Sequence, residues 1–349
     1  MRGVKLLGAV LLPAVIIAAA AGATGPDHHR SSLSGLDSGR RIVTGQQIYS
    51  YARMESDLLE LSLRYEGLIG VEVIGSSVEG RSIYAARLGR GEREIMINGS
   101  HHAYEHMTTN LNMKMLEEYV LAAVEGRLIA GECVAGLLEI VSIVFVPMVN
   151  PDGVELVQGG GICELRIVEL EGMNAAGSCF RGWKANIRGV DLNRQYPALW
   201  DTVRDDPGYP APANFRGESP LSEPESRALY ELARESDFLT AVSYHSSGNV
   251  IFARLSQEPY NETVAGLASA ATGYRVIDLQ HDTSGGGFSD WFVTVLGRPA
   301  ITPEISPFVG PRPVPLSHWP DIWRRNREVG IILAAEAARR PVLMHTEGR

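Results

Sequence analysis

Three things are scarce in this sequence. Cysteine occurs at only three positions, Cys133, Cys163 and Cys179, too scattered to build a thiolate metal site. Basic charge is short: 32 Lys and Arg stand against 41 Asp and Glu, a formal net charge of −9. Attraction to nucleic-acid phosphates is therefore excluded as a driving force. After residue 23 no apolar run approaches the length of a membrane span. There is no internal repeat, and no low-complexity block outside residues 24–40. What remains is ordinary globular composition, 45% hydrophobic and 21% charged over 349 residues. That is enough material for one large core, or at most two domains.

The first 23 residues stand apart. MRGVK carries two positive charges, LLGAVLLPAVIIAAAAGA is continuously apolar, and Ala21-Gly22-Ala23 has small residues where a cleavage site needs them. This is the pattern of a secretory signal peptide. About 18 apolar residues would also just span a bilayer as a retained anchor. The Ala-rich run and its small-residue end favour cleavage, and with it a secreted or extracytoplasmic location, cell wall or periplasm. Loss of Arg2 and Lys5 takes the net charge to about −11. In an exported chain two cysteines could pair; Cys163 and Cys179 flank one loop-like segment, which would leave Cys133 free. Spacing alone does not decide the pairing.

Residues 24–45 read as a linker, polar and turn-rich through residue 40; His28 and His29 sit there as solvated residues. From residue 46 to 349 the pattern is that of one α/β domain. QQIYSYARMESDLLELSLRYEG has helical periodicity, VEVIGSSVEG and SIYAARLG read as strands around a turn, and REIMING is a strand. TTNLNMKMLEEYVLAAVEG is helical. GLLEIVSIVFVPMVN ends in a β-branched run typical of a strand buried on both faces. SEPESRALYELARES suggests a helix with Ser222 as N-cap and Glu225 as its box partner. FLTAVSYHSSG and RPAITPEIS are strands ending in polar loops. VPLSHWPDIWRRNREVGIILAAEAARR reads as one closing helix with basic residues near its end. Residues 156–189 read as a glycine-rich irregular loop. Strands alternating with helices predict an α/β fold: a mixed, mostly parallel twisted sheet with helices on both faces.

One His-x-x-Glu occurs in the chain, His102-Ala103-Tyr104-Glu105, straight after the strand REIMING. With thiolates excluded, metal ligands must be imidazole and carboxylate. The carboxyl edge of a parallel sheet is where α/β proteins place their ligands. Of the remaining histidines His245 is best placed for a third ligand, because it ends the apolar strand FLTAVSY. His318 reads as a packing or surface residue, and His281 as a loop residue within reach of a substrate. His101 and His106 are either an outer layer or exposed. In RGWKANIRGVDLNRQYP, Asn193-Arg194 offers a planar fork for a carboxylate, and Asp191 could orient a zinc-bound imidazole. On spacing alone a structural salt-bridge loop is the simpler reading of that segment. Glu304 ends the strand in AITPEIS, where a carboxylate could act as general base to a metal-activated water.

GSHHAYEH, VPMVNPDGVE, WKANIRGVDLNRQYP, SYHSSG, SGGGFSDWF and TPEIS, in that order, resemble the zinc metallocarboxypeptidase family with the carboxypeptidase A-like fold, over roughly residues 46–340. The resemblance implies one zinc ion per chain held by His102, Glu105 and His245. It implies a substrate carboxylate gripped by Asn193 and Arg194, Asp191 behind His102, and Glu304 as the base that drives zinc-bound water onto the peptide bond. Two departures stand out. Lys184 occupies a position where digestive members carry an arginine that steadies the oxyanion, and takes that role here. Counting back from Asp290-Trp291 to the digestive enzymes' mobile tyrosine lands on Asp282, so no tyrosine cap is assigned.

The same motifs are most similar to the bacterial γ-D-glutamyl-L-diamino-acid peptidases. This branch implies cleavage between γ-D-Glu and a diamino acid (diaminopimelate) in peptidoglycan stem peptides or muropeptides. The short linker favours soluble muropeptides or wall fragments over tightly wall-bound action. Arg181 and Arg188 are the basic residues nearest in sequence to meet the D-Glu carboxylate. Ser289, small and uncharged, argues against a dedicated pocket for basic residues. Two other readings stand beside this one. One is a secreted carboxypeptidase trimming ordinary peptides; the other is a zinc-free, non-catalytic wall-peptide binder. No nucleic acid and no stable membrane association after cleavage are expected.

Overall fold

The computed structural model describes residues 41–341, apart from 163, 257 and 281–283. The leader 1–23, the linker up to residue 40, His28, His29, Cys163 and so its pairing with Cys179, His281 and Asp282 lie outside the described residues. Cys133 and Cys179 are exposed.

The strands are β1 (Ile69–Ser76), β2 (Ser82–Leu88), β3 (Arg93–Gly99), β4 (Leu128–Ile129), β5 (Glu132–Cys133), β6 (Val141–Val146), β7 (Phe238–Ser246), β8 (Val250–Ala253), β9 (Arg275–Asp278) and β10 (Ala300–Ile305). The helices are α1 (Tyr51–Arg64), α2 (Met107–Val124), α3 (Val134–Leu138), α4 (Pro151–Gln158), α5 (Glu164–Met173), α6 (Pro224–Glu235), α7 (Asn261–Thr272), α8 (Phe288–Thr294), α9 (Trp319–Asn326) and α10 (Val329–Arg339). Eight strands form one sheet in the order β1-β2-β6-β3-β7-β10-β8-β9, while β4 and β5 make a small hairpin. The centre, β6-β3-β7-β10, is parallel; β1-β2, β2-β6 and β10-β8 are antiparallel. This is the mixed, mostly parallel sheet that the alternation implies.

The middle strands are buried because both faces are covered. Every residue of β6 is buried, as a β-branched run between two helix layers requires. On one face Met96 and Val144 pack with Leu229 of α6 and Trp291 and Phe292 of α8. On the other, Tyr119 of α2 packs tilted against Phe145, and the Gly330 backbone of α10 donates to the Tyr119 hydroxyl at 3.1 Å. Each such large side chain contributes about 1.5–3 kcal/mol of burial. Gly99 ends β3 because α2 crosses too closely for a side chain: a Cβ there would stand 2.9 Å from Thr108 Oγ1 and from Asn112 Nδ2.

Four local expectations need correction. Residues 41–45 are not linker: Ile42 and Val43 are buried, and their N–H groups donate to Glu117 Oε1 at 2.5 and 3.0 Å. Ser222 does not cap α6. The helix starts at Pro224 after Glu223, whereas the Ser222 hydroxyl donates to Gln195 Oε1 at 3.2 Å. Proline at the first helical position fixes that start. Residues 156–189 are not wholly irregular, for they hold the end of α4 and all of α5. Helix α5 buries only Leu170, against Trp183 and Phe180, so its apolar stripe is too thin to register as periodicity. The closing segment is two helices, α9 and α10, separated at Arg327–Glu328.

Candidate metal and active site

Three neighbouring parallel strands deliver the site. The chain leaves β3 at Gly99 and turns through a single 3₁₀ turn, Ala103–Glu105, which brings His102 and Glu105 together. His245 lies near the end of β7, and Glu304 is its direct neighbour in register on β10. The sequence separation is large, but strand order makes the contact local.

Glu105 bridges the two imidazoles. Its Oε1 lies 2.9 Å from His102 Nδ1 and its Oε2 lies 2.8 Å from His245 Nδ1. The two Nδ1 atoms are 3.0 Å apart, and all three side chains are buried. His102 Nε2 lies 3.1 Å from Asp191 Oδ1. An ionised carboxylate only accepts, so Nε2 carries the proton and Nδ1 offers its lone pair. Converging lone pairs repel unless a cation sits among them. A tetrahedral zinc at about 2.0–2.1 Å would hold its donor nitrogens about 3.3 Å apart, close to the spacing found. The cluster fits that metal.

Asp191 is the hub behind the metal ligands. It accepts from His102, from Asn193 N at 3.0 Å and from Asn214 N at 3.3 Å, and it pairs with Lys184 Nζ at 2.8 Å. Burial alone would raise its carboxyl, but Lys184, His102 and Arg194 outweigh burial and hold it well below the usual range. Glu105 behaves alike: burial raises it, His102 and His245 more than compensate, and the net shift is downward. Glu304 is the opposite case. Burial and the charge of Glu105 push it well above the ordinary carboxyl value, with Lys184 pulling against them. Burial lowers His245, and Glu105 acts against that fall. A carboxyl with a raised pKa beside a candidate metal cluster is suited to take up and return a proton.

One open cleft of about 540 Å³ is lined by His102, Glu105, His245, Lys184, Asn193, Arg194 and Glu304 together. These are the expected metal ligands, carboxylate-binding pair, oxyanion lysine and base; Asp191 is fully buried behind them. Arg194 Nη1 donates to Asn193 O at 2.8 Å, and Arg194 Nε is buried with no partner among the described residues. Asn193 Oδ1 accepts from Phe288 N at 2.9 Å, and its Nδ2 lies 3.3 Å from His245 Nε2. With Nδ1 as the ligand atom, His245 Nε2 carries the proton and faces Ser243 Oγ at 3.4 Å.

The flanking histidines are not exposed. His101 stacks on His245 with ring centres 5.6 Å apart and meets the Tyr196 hydroxyl at 3.1 Å. Burial and His245 lower it, so it packs as a neutral ring. Burial lowers His106 to about 4. His318 does not line the cleft. Arg181 and Arg188 do not line it either; Arg188 lies 3.7 Å from Glu223 instead. The sequence reading missed Tyr104, Asn214 and the Arg254–Asp290 pair, all at or beside the site. Only Tyr104, inside the His-x-x-Glu, had a local signal.

A buried imidazole–carboxylate–imidazole set at a sheet edge, with a glutamate of raised pKa beside it, has the make-up of a metal-dependent hydrolase site. Comparison with known proteins sharpens that class. The zinc carboxypeptidase family profile matches residues 54–308. A γ-D-glutamyl-L-diamino acid endopeptidase 1 of Lysinibacillus sphaericus is 36% identical over 298 residues, covering 84% of this chain and 74% of that protein. Among solved structures, thrombin activatable fibrinolysis inhibitor matches with a TM-score of 0.69 at 18% identity, over 89% of this chain and 80% of that one. Carboxypeptidase A from Helicoverpa armigera matches with a TM-score of 0.63 at 20% identity, over 87% of this chain and 77% of that one. The structural likeness shows the carboxypeptidase A-like fold. The chain belongs to the zinc carboxypeptidase family. It is a zinc metallopeptidase, and the His102–Glu105–His245 cluster fits its metal.

Proposed function

We propose that the protein hydrolyses the bond between γ-D-glutamate and a diamino acid, diaminopimelate, in peptidoglycan-derived peptides outside the cytoplasm. The observation that carries the reading is one cleft holding the His102–Glu105–His245 cluster, Glu304 with its carboxyl raised by burial and by Glu105, and a buried Arg194 Nε with no partner among the described residues. A cation donor left without a partner in a wall costs desolvation unless a ligand supplies the acceptor. The similarity to the Lysinibacillus endopeptidase supports the choice of bond. The apolar leader supports export, and no helix among the described residues is long and apolar enough to cross a membrane.

The residues divide the work as follows. Arg194 and Asn193 hold the free carboxylate of the leaving residue, which fixes the scissile bond in one place. Zinc, when bound, polarises the scissile carbonyl and makes water more acidic. Glu304 takes the proton of the attacking water and returns it to the leaving amine. Lys184 spends two of its three N–H donors on Asp191 and Asn214 Oδ1 (3.4 Å), leaving one for the oxyanion. Asp191 keeps His102 in the tautomer whose Nδ1 faces the metal.

The test is incubation of the leaderless protein with L-Ala-γ-D-Glu-meso-diaminopimelate, with and without a zinc chelator, read by mass spectrometry. Release of diaminopimelate that stops on chelation is expected. Trimming of ordinary L-peptides with this substrate untouched would replace the reading with a general carboxypeptidase. No cleavage of either, with zinc bound, would leave a peptide-binding protein.

A further inference from the structure

Four side chains of the site, Lys184, Asp191, Asn193 and Arg194, come from one segment, residues 184–195. That segment holds one 3₁₀ turn, Leu192–Arg194, and no strand. A repeating main-chain ladder therefore does not hold it in shape. Two fully buried amide side chains, Asn186 and Gln195, do so instead. The Asn186 amide oxygen accepts from Arg188 N at 3.0 Å and from Val190 N at 3.1 Å, and the Asn186 backbone N–H donates to Val190 O at 2.8 Å. These bonds close residues 186–190 into a tight turn, with Gly189 at φ 73° making its left-handed step. Closure returns the chain on itself, and Lys184 Nζ lies 2.8 Å from Asp191 Oδ2.

Both amides fasten to one residue outside the segment. Asn186 Nδ2 donates to Glu223 Oε2 at 2.7 Å, with Glu225 Oε2 a longer neighbour at 3.3 Å. Gln195 Oε1 accepts from Glu223 N at 3.0 Å. Glu223 is buried at the start of α6, the helix whose Leu229 packs into the core beneath the sheet. A residue in that position commonly caps its own helix. Among the described residues the Glu223 carboxylate makes no such cap; it turns to Asn186 instead. Ser222 Oγ stands 3.0 Å from its other oxygen, and Arg188 Nη1 stands 3.7 Å from Oε2. The start of a core helix thus grips the catalytic segment twice, once through a side chain and once through a backbone N–H.

We propose that Glu223 is a positioning residue: its carboxylate, through Asn186, sets the turn that holds Lys184 against Asp191, and its backbone N–H, through Gln195, pins the Asn193–Arg194 end. The proposal rests on the reading above that Lys184 serves the oxyanion and that Asn193 and Arg194 hold the substrate carboxylate. The two grips then serve different steps. The side chain governs a group that acts on charge developing in the transition state, and the backbone governs groups that bind the substrate throughout. Changing the side chain alone moves kcat and leaves KM in place.

The test compares variants with saturating zinc on whichever peptide the native enzyme cleaves, L-Ala-γ-D-Glu-meso-diaminopimelate or an ordinary L-peptide. The choice of peptide reports on the proposed bond and the variants on the positioning, so either reading can fail alone. Glu223→Leu fills similar space but offers Asn186 no acceptor. It should lower kcat by about tenfold or more, with KM within about threefold of native. Glu223→Gln keeps a side-chain oxygen for Asn186 and should hold both constants within about threefold. In a Lys184→Met background Glu223→Leu should cost less than about threefold, because the group it positions is gone. An unchanged kcat in Glu223→Leu, or the same loss with and without Lys184, would overturn the proposal. If neither peptide is cleaved, zinc affinity decides in a chelator competition titration. Glu223→Leu should weaken it by about threefold or more through Asp191, and equal affinity would overturn the proposal. If Glu223→Leu does not fold, Glu223→Asp withdraws the carboxylate from Asn186 by one methylene. It should lower kcat by about threefold or more, again only with Lys184 present, and a native kcat would overturn the proposal.

Discussion

Segment 184–195 feeds two clusters of buried carboxylates that answer burial in opposite ways. Asp191 and Glu105, in the metal site, face Lys184 and two imidazoles, and both are held below the ordinary carboxyl range despite burial. Glu225, on the other side of Asn186, is equally buried, accepting from Val78 N at 3.1 Å and lying 3.3 Å from Asn186 Nδ2. Arg81 pairs with Asp152 and Arg188 with Glu223, but among the described residues no cation hydrogen-bonds Glu225. Burial first, then Glu223 and Asp152, raise it to about 7 in spite of its backbone donors. The lesson is that depth does not set the protonation of a buried acid; the sign of what touches it does. Glu304 follows Glu225 in direction while standing in the first cluster, and that combination suits it to proton transfer.

The contrast can be broken at three places. Glu304→Gln removes the one high-pKa acid from the metal site. It should lower kcat by about 10²–10⁴-fold with zinc content unchanged by elemental analysis; near-normal turnover would show the base to be elsewhere. Asp191→Asn tests the hub. Zinc affinity should fall by about 10–100-fold in a chelator competition titration, and an unchanged affinity would reduce Asp191 to a structural acceptor. Glu225→Gln probes the other cluster and should leave turnover alone while changing stability. The folded protein keeps this proton up to about pH 7 and the unfolded chain loses it near 4.5. Between those values the folded state binds more protons, so stability falls as pH rises and then levels off. The loss is at most about 3 kcal/mol. Urea midpoints at pH 5 and pH 8 should differ less in the variant than in the native protein. An equal pH dependence in both would mean that Glu225 is already ionised in the fold.

Strand ends made most of the metal site legible in the sequence. His102 and Glu105 follow REIMING, His245 closes FLTAVSY, and Glu304 closes a short apolar run, so each sits where a parallel sheet puts its ligands. The Lys184–Asp191–Asn214 contacts were not legible, because loops carry no periodicity that aligns them. Nor was the Arg254–Asp290 pair, whose partners lie 36 residues apart in sequence. The Ser222 cap failed for a local reason: Pro224 sets the helix start one residue later, with Glu223 at the cap position, and Gln195 claims the serine.

By itself the sequence determined the central strands and the larger helices around them, the apolar leader, and the residue types that could ligate zinc or move a proton. Hydrophobic period and strand-end polarity are local properties, written in consecutive residues. Tertiary structure decided which of those residues meet and what charge they carry. The order β3-β7-β10 joined His102, His245 and Glu304 across two hundred residues. Packing set Asp191 against a lysine and, among the described residues, gave Glu225 no cation to hydrogen-bond. Both outcomes depend on through-space neighbours and on exclusion of water, which no local stretch of chain contains.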